Sequence, residues 1–178
     1  MTEQDLIKGC INNDGKCQKE LFRRFAGKML VVCMRYARHR MEAEDMLQDA
    51  FIKVFKNLSF FEAKGSFEGW VRKIVVNTAL KHIDKKSFTK EQIGGEQDYD
   101  PGADPDIFSH LGEKDLLKMV ASLPDGYRVV FNLYAIEGFS HKEIADLLEI
   151  GESTSRSQLV KARKMLQDMV LNMQKIAV

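Results

Sequence analysis

Residues 140–164 read SHKEIADLLEIGESTSRSQLVKARK. Ser140 and Glu143 have the spacing of a capping box, in which the serine oxygen accepts from the Glu143 amide and the carboxylate reaches back. A short helix with apolar residues follows, Gly151 breaks it, and a second helix begins at about Ser153. This order of short helix, tight turn and second helix predicts a helix-turn-helix.

The second helix of this motif has a polar and basic exposed face. Residues near its N-terminus are placed to meet base edges of duplex DNA, and later basic residues suit phosphates. We predict base contacts from Ser153, Thr154, Arg156 and Ser157, and phosphate contacts from Lys161, Arg163 and Lys164. Periodicity alone fits an ordinary helical hairpin with a solvated face equally well. The capping box, the glycine turn and the polar helix start together favour the DNA-binding motif.

The remaining sequence predicts an all-α protein, since only three prolines and few alternating β-branched runs occur. Around the motif we expect helices at residues 113–123 and from Pro124 to Gly138, with the last helix running to about Gln174. The N-terminal part predicts four helices, the first starting at Thr2 and the second covering residues 15–38. Apolar residues at helical spacing mark the third and fourth, at residues 46–58 and 67–78.

The charge distribution divides the chain, although the formal net charge is only +1. Residues 91–106 carry six acids, no base, three glycines and two prolines, a composition typical of a flexible acidic linker. We therefore predict two small helical domains at residues 1–90 and 112–178, joined by a linker at residues 91–111.

Composition and motifs exclude several functional classes. The chain is 44% hydrophobic and 30% charged, which is ordinary for a globular protein. No apolar run reaches the ~18 residues of a membrane span and no signal-peptide core begins the sequence, so we expect a cytoplasmic protein without membrane insertion. Four scattered histidines, three cysteines and no phosphate-binding or dinucleotide motif predict no enzyme, no cofactor and no metal site.

The predicted fourth helix carries a basic face opposite its apolar stripe. Basic residues can follow a nucleic-acid backbone, and the loop before the helix, residues 59–66, could accept an unstacked base. For Phe60, Phe61 and Trp70 we favour packing on the core. The polar and basic positions are Arg72, Lys73, Asn77, Lys81, His82, Lys85 and Lys86.

Residues 43–57, AEDMLQDAFIKVFKN, form a helix with acids crowded at its start. Its full apolar stripe leaves polar side chains facing outward. Physical arguments alone do not distinguish a helix capped by its own acids from a protein-binding surface. The outward residues are predicted to be Asp45, Gln48, Asp49, Lys53 and Lys56.

Three segments together resemble a known family. Asp45-x-x-Gln48-Asp49-x-Phe51 resembles the core-polymerase-binding signature of bacterial RNA polymerase sigma factors. The run SFEGWVRKIVVNTALKHIDKK resembles their promoter-melting and −10-reading helix, and residues 123–166 are similar to their −35-binding domain. Two domains with a short linker match the extracytoplasmic-function (ECF) subgroup. Many relatives carry an aliphatic residue and an arginine where this chain has Ser155 and Gln158.

The resemblance implies a specificity subunit that performs no covalent chemistry. It would bind core RNA polymerase through Asp45, Gln48, Asp49 and Lys53. It would read single-stranded −10 DNA with the basic fourth helix and duplex −35 DNA with the helix-turn-helix. An anti-sigma factor that holds it inactive is implied by the family only.

Two other readings remain open from the residues themselves. One is a dimeric helix-turn-helix regulator whose N-terminal half is a sensor. The other is an RNA-binding or adaptor protein without promoter preference. Co-purification with core polymerase would distinguish the sigma-factor reading from both.

Overall fold

The computed structural model describes residues 1–83 and 112–176. These residues are predominantly helical, with no strand among them, and they form two compact units. The N-terminal unit ends at His82, and the described part of the C-terminal unit contains the helices from Glu113 onward. The prediction of two all-α domains is confirmed. The predicted linker, the boundary at residue 90 and the predicted DNA-contacting residues Lys85 and Lys86 lie outside the described residues.

The N-terminal unit consists of four α-helices and one 3₁₀ turn. The three longer helices pack on one another, and α1 packs on α2. The elements are α1 (Glu3–Ile11), α2 (Gly15–Tyr36), α3 (Arg40–Asn57), the 3₁₀ turn (Leu58–Phe60) and α4 (Phe67–His82).

Polar side chains begin the first three helices. Thr2 and Asp5 form a reciprocal capping box at the start of α1. The Asp14 carboxylate accepts from two amides of the first turn of α2, and the His39 ring accepts from one amide of α3. Each cap satisfies an amide that has no partner within its helix, and such a cap contributes about 1 kcal/mol.

The core of the N-terminal unit lies where α2, α3 and α4 meet. Met29 of α2, Met46 and Val54 of α3, and Val71 and Val75 of α4 are almost completely buried. They belong to larger buried sets that recur mostly at three- and four-residue spacing along each helix, so each helix presents one apolar stripe to the other two. The packing leaves the opposite faces of α3 and α4 available to other molecules.

Residues 112–176 of the C-terminal unit contain four more α-helices. The elements are α5 (Glu113–Ser122), α6 (Asp125–Phe131), a π-helical segment (Asn132–Ile136), α7 (His141–Leu148) and α8 (Glu152–Ile176). Gly138 has a φ of +78°, a conformation that favours glycine, and it ends this segment as predicted. One core cluster joins α5 to α8 through Met119, Val120, Leu123, Ala162, Leu166 and Val170.

The turn between α7 and α8 differs from the prediction in one detail. Glu149, rather than a glycine, ends α7 in the left-handed conformation with a φ of 57°. Gly151 instead directly precedes the next helix, and its carbonyl accepts from the Ser155 amide at 3.0 Å. Gly151 therefore lies in the turn between the helices and directly precedes α8, whereas Glu149 ends α7.

All three cysteines are buried and unpaired. Burial raises the pKa of the Cys10 thiol to about 11 and that of Cys33 to about 12. These thiols are therefore protonated at neutral pH, and protonated thiols are poor nucleophiles and metal ligands. Within residues 1–83 and 112–176, no helix combines the length and the apolar character that crossing a membrane requires.

Candidate functional site

The helix-turn-helix presents a polar surface at the start of α8. Ser153, Arg156 and Ser157 are exposed and Thr154 is half-buried. Leu159, on the opposite side, is buried in the core. The first two turns of α8 therefore offer hydroxyl groups and one guanidinium to the surroundings, which are groups that can bond base edges in a major groove.

Arg156 is held by Glu152, one turn earlier on the same helix. The Arg156 Nη2 atom lies 2.9 Å from Glu152 Oε2, and both side chains are largely exposed. Such an exposed pair at i,i+4 contributes little to stability. Its effect is to limit the directions in which the guanidinium points. Glu152 was not among the residues predicted from the sequence, although its spacing to Arg156 could have indicated it.

Three basic residues follow further along α8. Arg163 and Lys164 are exposed, whereas Lys161 is half-buried. The Arg163 guanidinium lies over the Tyr134 ring, 5.7 Å from its centroid, which is within the range of a cation–π contact. Lys164 lies eight positions after Arg156, about 12 Å further along the helix, so the two side chains leave α8 at well-separated points.

Ser155 and Gln158, where many relatives carry other residues, do not belong to this polar surface. Their exposed fractions are 0% and 2%. The Ser155 hydroxyl lies 2.9 Å from His141 Nδ1, at the start of α7. Both side chains are therefore buried inside the unit and do not belong to the surface predicted to read the −35 element.

The N-terminus of α7 is built as predicted. Ser140 accepts from the Glu143 amide, and the Glu143 carboxylate accepts from the Ser140 amide at 2.8 Å. The Ser140 amide and hydroxyl both donate to this carboxylate, and these two hydrogen bonds lower the pKa of Glu143. Ile144, Ala145 and Leu148 are buried and brace α7 inside the unit. The capping box and these three side chains fix the position from which α8 projects.

The second predicted surface lies on α4. Lys73, Asn77 and Lys81 are exposed and follow one another at four-residue spacing. They therefore form a single line along the helix. We call this surface the α4 basic face, and it comprises Arg72, Lys73, Asn77, Lys81 and His82.

The loop before α4 corrects one prediction. Phe61 and Trp70 are half-buried and surround Phe67, with ring centroids 5.1 and 5.7 Å from it. Phe60, in contrast, is 73% exposed. In a 3₁₀ turn residues three apart lie on the same side, so Leu58 and Phe61 both face inward and Phe60 faces out. The prediction that Phe60 packs on the core is wrong.

The third predicted surface lies on α3. Asp45, Gln48 and Asp49 are exposed. Ile52, one turn further along, is also 52% exposed and adds an apolar side chain that the sequence pattern did not single out. We call Asp45, Gln48, Asp49 and Ile52 the α3 surface.

Lys53 does not face outward as predicted. It is half-buried between α3 and α4, and its Nζ atom donates to the Thr78 hydroxyl at 3.1 Å. The aliphatic stem of a lysine can lie along apolar surface while its ammonium group finds a polar partner. The close packing of α3 on α4 therefore draws Lys53 into the helix interface.

Asp49 and His82 connect two surfaces that were predicted separately. The Asp49 Oδ2 atom lies 2.8 Å from His82 Nε2, across the α3–α4 interface. The pair thus links the acidic residue assigned to polymerase binding with a residue of the α4 basic face. A change of either residue alters the surroundings of the other.

A helix-turn-helix in one unit and a basic face in the other define a two-domain helical DNA-binding protein. Comparison with known families supports the same division. The family described as "Sigma-70 region 2" matches residues 21–89, and "Sigma-70, region 4" matches residues 113–166.

Individual relatives agree with these matches. The chain is 25% identical to the ECF RNA polymerase sigma-E factor of Haemophilus influenzae, over 96% of each protein. It is 33% identical to the ECF RNA polymerase sigma factor SigE of Mycolicibacterium smegmatis, over 84% of this chain and 60% of that protein. Its fold is similar to that of the Bartonella quintana sigma factor RpoE, solved in complex with the anti-sigma factor NepR. That similarity has a TM-score of 0.52 at 19% identity and covers 86% of this chain and 96% of the other.

The chain therefore belongs to the sigma-70 family and, within it, to the ECF group. It is an RNA polymerase sigma factor, a transcription initiation factor that works with core polymerase and promoter DNA.

Proposed function

We propose that the three surfaces divide the work of a sigma factor among them. The α3 surface binds core polymerase, the α4 basic face binds the single-stranded −10 region, and the first turns of α8 read duplex −35 DNA. The observation that carries this proposal is the exposure of the polar residues on α3, α4 and α8. The apolar stripes of these helices are buried without them, so folding does not explain their presence.

The chemistry of each surface suits its proposed partner. The line of Lys73, Asn77 and Lys81 combines two cations with a side-chain amide, which can bond both phosphates and an unstacked base. The start of α8 combines hydroxyl groups with a guanidinium, which suits base edges in the major groove. RNA synthesis itself remains the work of the polymerase, and we propose no covalent step for this chain.

We further propose that the protein works in the cytoplasm, where polymerase and DNA are found, and that an anti-sigma factor regulates it. The solved complex of the Bartonella quintana relative with its anti-sigma factor supports this regulation by analogy.

The first test concerns the α3 surface. Changing Gln48 and Asp49 together to alanine should weaken binding to core polymerase at least tenfold, the effect expected if each side chain contributes about 1 kcal/mol or more to the proposed interface. Both side chains are exposed, so the fold should remain intact. Binding of labelled protein to purified core enzyme measures the effect.

His82→Gln is the matched control, because Asp49→Ala also removes the partner of His82. This variant should leave core affinity nearly unchanged. If the double change leaves core affinity and transcription as they are in the unaltered protein, the assignment of the α3 surface is wrong.

The second test concerns DNA melting. Asn77→Ala should slow open-complex formation on duplex promoter DNA, because Asn77 stands in the middle of the exposed line on α4. On a template already mismatched around the start site most of the defect should disappear, since no base pairs need opening there. Open complexes are counted by permanganate reactivity of unpaired thymines. A defect of equal size on both templates would point to lost folding or lost core binding instead.

A further inference from the structure

His141 is held on two sides at the edge of the helix-turn-helix. Its ring stacks on Tyr134 of the π-helical segment, with centroids 4.6 Å apart and planes inclined by 20°. Its Nδ1 atom lies 2.9 Å from the hydroxyl of the buried Ser155 on α8. One imidazole thus joins the π-helical segment, α7 and α8.

These contacts leave the other ring nitrogen for a partner outside the unit. Within the described residues, Nε2 of His141 makes no hydrogen bond, and the side chain is only partly buried. Stacking on Tyr134 and the bond to Ser155 fix the ring plane and so fix the direction of Nε2. A ring held in this way loses little conformational entropy when it binds a partner.

The charges facing His141 come from α8. Burial is the largest cause that lowers the pKa of the His141 imidazole. The nearby cations Arg156 and Arg163 lower this pKa further, whereas the Glu152 carboxylate raises it. The Tyr134 ring, its other neighbour, also carries Arg163 over its face. In the free protein His141 is therefore less readily protonated than an ordinary histidine, and it lies beside the two arginines assigned to DNA.

We propose that His141 contacts a DNA phosphate through Nε2 and takes up a proton when the −35 duplex binds. The inference rests on the proposed function of α8. A phosphate near Nε2 stabilises the positively charged form of the ring and so raises its pKa. DNA phosphates also neutralise Arg156 and Arg163, which reduces the repulsion that these two cations exert on a protonated His141. The Ser155 hydroxyl can accept as well as donate, so Nδ1 keeps its hydrogen bond when it becomes protonated.

The sign of the pH dependence follows from linkage. The pKa of His141 is lowered in the free protein and higher in the complex, so the bound state holds more protons between these two values. Binding is strongest below the pKa of the free protein and weakens as the pH rises through that of the complex. One linked proton can change the affinity by at most about tenfold per pH unit.

The test uses holoenzyme reconstituted from core polymerase and the full chain. Its affinity for promoter DNA is measured at pH 6, 7 and 8 at constant ionic strength, and each variant is compared with the unaltered protein. His141→Gln removes the titrating group, and His141→Phe keeps a ring against Tyr134 but carries no nitrogen. His39→Asn is the matched control, since it removes an exposed histidine from the N-terminal unit but keeps a capping side chain.

We expect the unaltered protein and His39→Asn to lose about three- to tenfold more affinity from pH 6 to pH 8 than the two His141 variants, as one linked proton allows. The salt dependence of the unaltered protein should also be steeper at pH 6 than at pH 8 by up to about one ion, and the His141 variants should not show this difference. Parallel pH profiles for all four proteins, with promoter preference intact, would overturn the inference and leave the proposed function standing. Loss of promoter preference in the unaltered protein would overturn both.

Discussion

Replacing Arg128 with alanine should lower the free energy of unfolding of the C-terminal unit by about 3–5 kcal/mol, the usual result of removing one partner from a buried ion pair. The Arg128 side chain is 2% exposed, and its Nη2 atom lies 2.7 Å from Asp125 Oδ1. Its Nη1 atom donates to the Leu123 carbonyl at 3.0 Å. Alanine would leave the Asp125 carboxylate and this carbonyl without those donors and would open a cavity beneath α6.

Two spectroscopic signals distinguish unfolding of the C-terminal unit from unfolding of the N-terminal unit. Trp70 is the sole tryptophan of the sequence and lies in the N-terminal unit, so its fluorescence reports unfolding of that unit. Far-UV circular dichroism reports the helices of both units. In urea, Arg128→Ala should move part of the dichroism transition to lower concentration while the Trp70 transition stays in place.

Lys164→Ala serves as the control, because this lysine is exposed on the same unit. It should change the unfolding free energy by less than about 0.5 kcal/mol. If Arg128→Ala unfolds at the same urea concentration as Lys164→Ala, the buried pair does not hold α6 in place.

Arg156→Ala should remove discrimination at one position of the −35 element, at a cost of about 1–3 kcal/mol for the cognate base pair. Arg156 is exposed in the second turn of α8, and Glu152 restrains its guanidinium. A planar, oriented guanidinium can bond both acceptors of guanine at once. The affinity of holoenzyme for promoters substituted at each −35 position measures the effect.

Lys164→Ala is the matched comparison, because Lys164 is predicted to contact a phosphate and not a base. It should weaken all sequences about equally and reduce the salt dependence by roughly one ion. If Arg156→Ala also lowers affinity uniformly and leaves base preference unchanged, Arg156 is only a phosphate contact. The base contacts would then lie at Ser153, Thr154 or Ser157.

Local signals in the sequence were sufficient to predict the helices. The capping box of Ser140 and Glu143, the break at Gly138 and the apolar stripes of α3 and α4 each depend on residues close in the chain. The structure has each of them where the sequence placed it. The prediction that Gly151 ends α7 was wrong, because Glu149 takes the left-handed conformation first.

Contacts between helices could not be predicted in this way. Periodicity places Lys53 on an outer flank of α3, but the approach of α4 brings it to Thr78. Phe60 and Phe61 are adjacent in the sequence, and only the direction of the 3₁₀ turn decides which one is buried. The contact between Ser155 on α8 and His141 on α7 likewise has no signal in the local sequence.

The candidate surfaces, too, could be predicted from the sequence only in part. Their exposed polar residues follow from helical spacing, but the Asp49–His82 pair joins residues 33 positions apart and has no local signature. The role of Glu152 could have been recognised from its spacing to Arg156. The His141 cluster required three elements to be placed together.

The decisive experiment is transcription from a genomic DNA library with core polymerase and the full chain, followed by mapping of the start sites. We expect discrete start sites that appear only when the chain is added and that share one −35 and one −10 sequence. The double variant with alanine at Gln48 and Asp49 should lower all of these transcripts together. Start sites that are unchanged by adding the chain, or that share no upstream sequence, would contradict its assignment as a promoter-specific sigma factor.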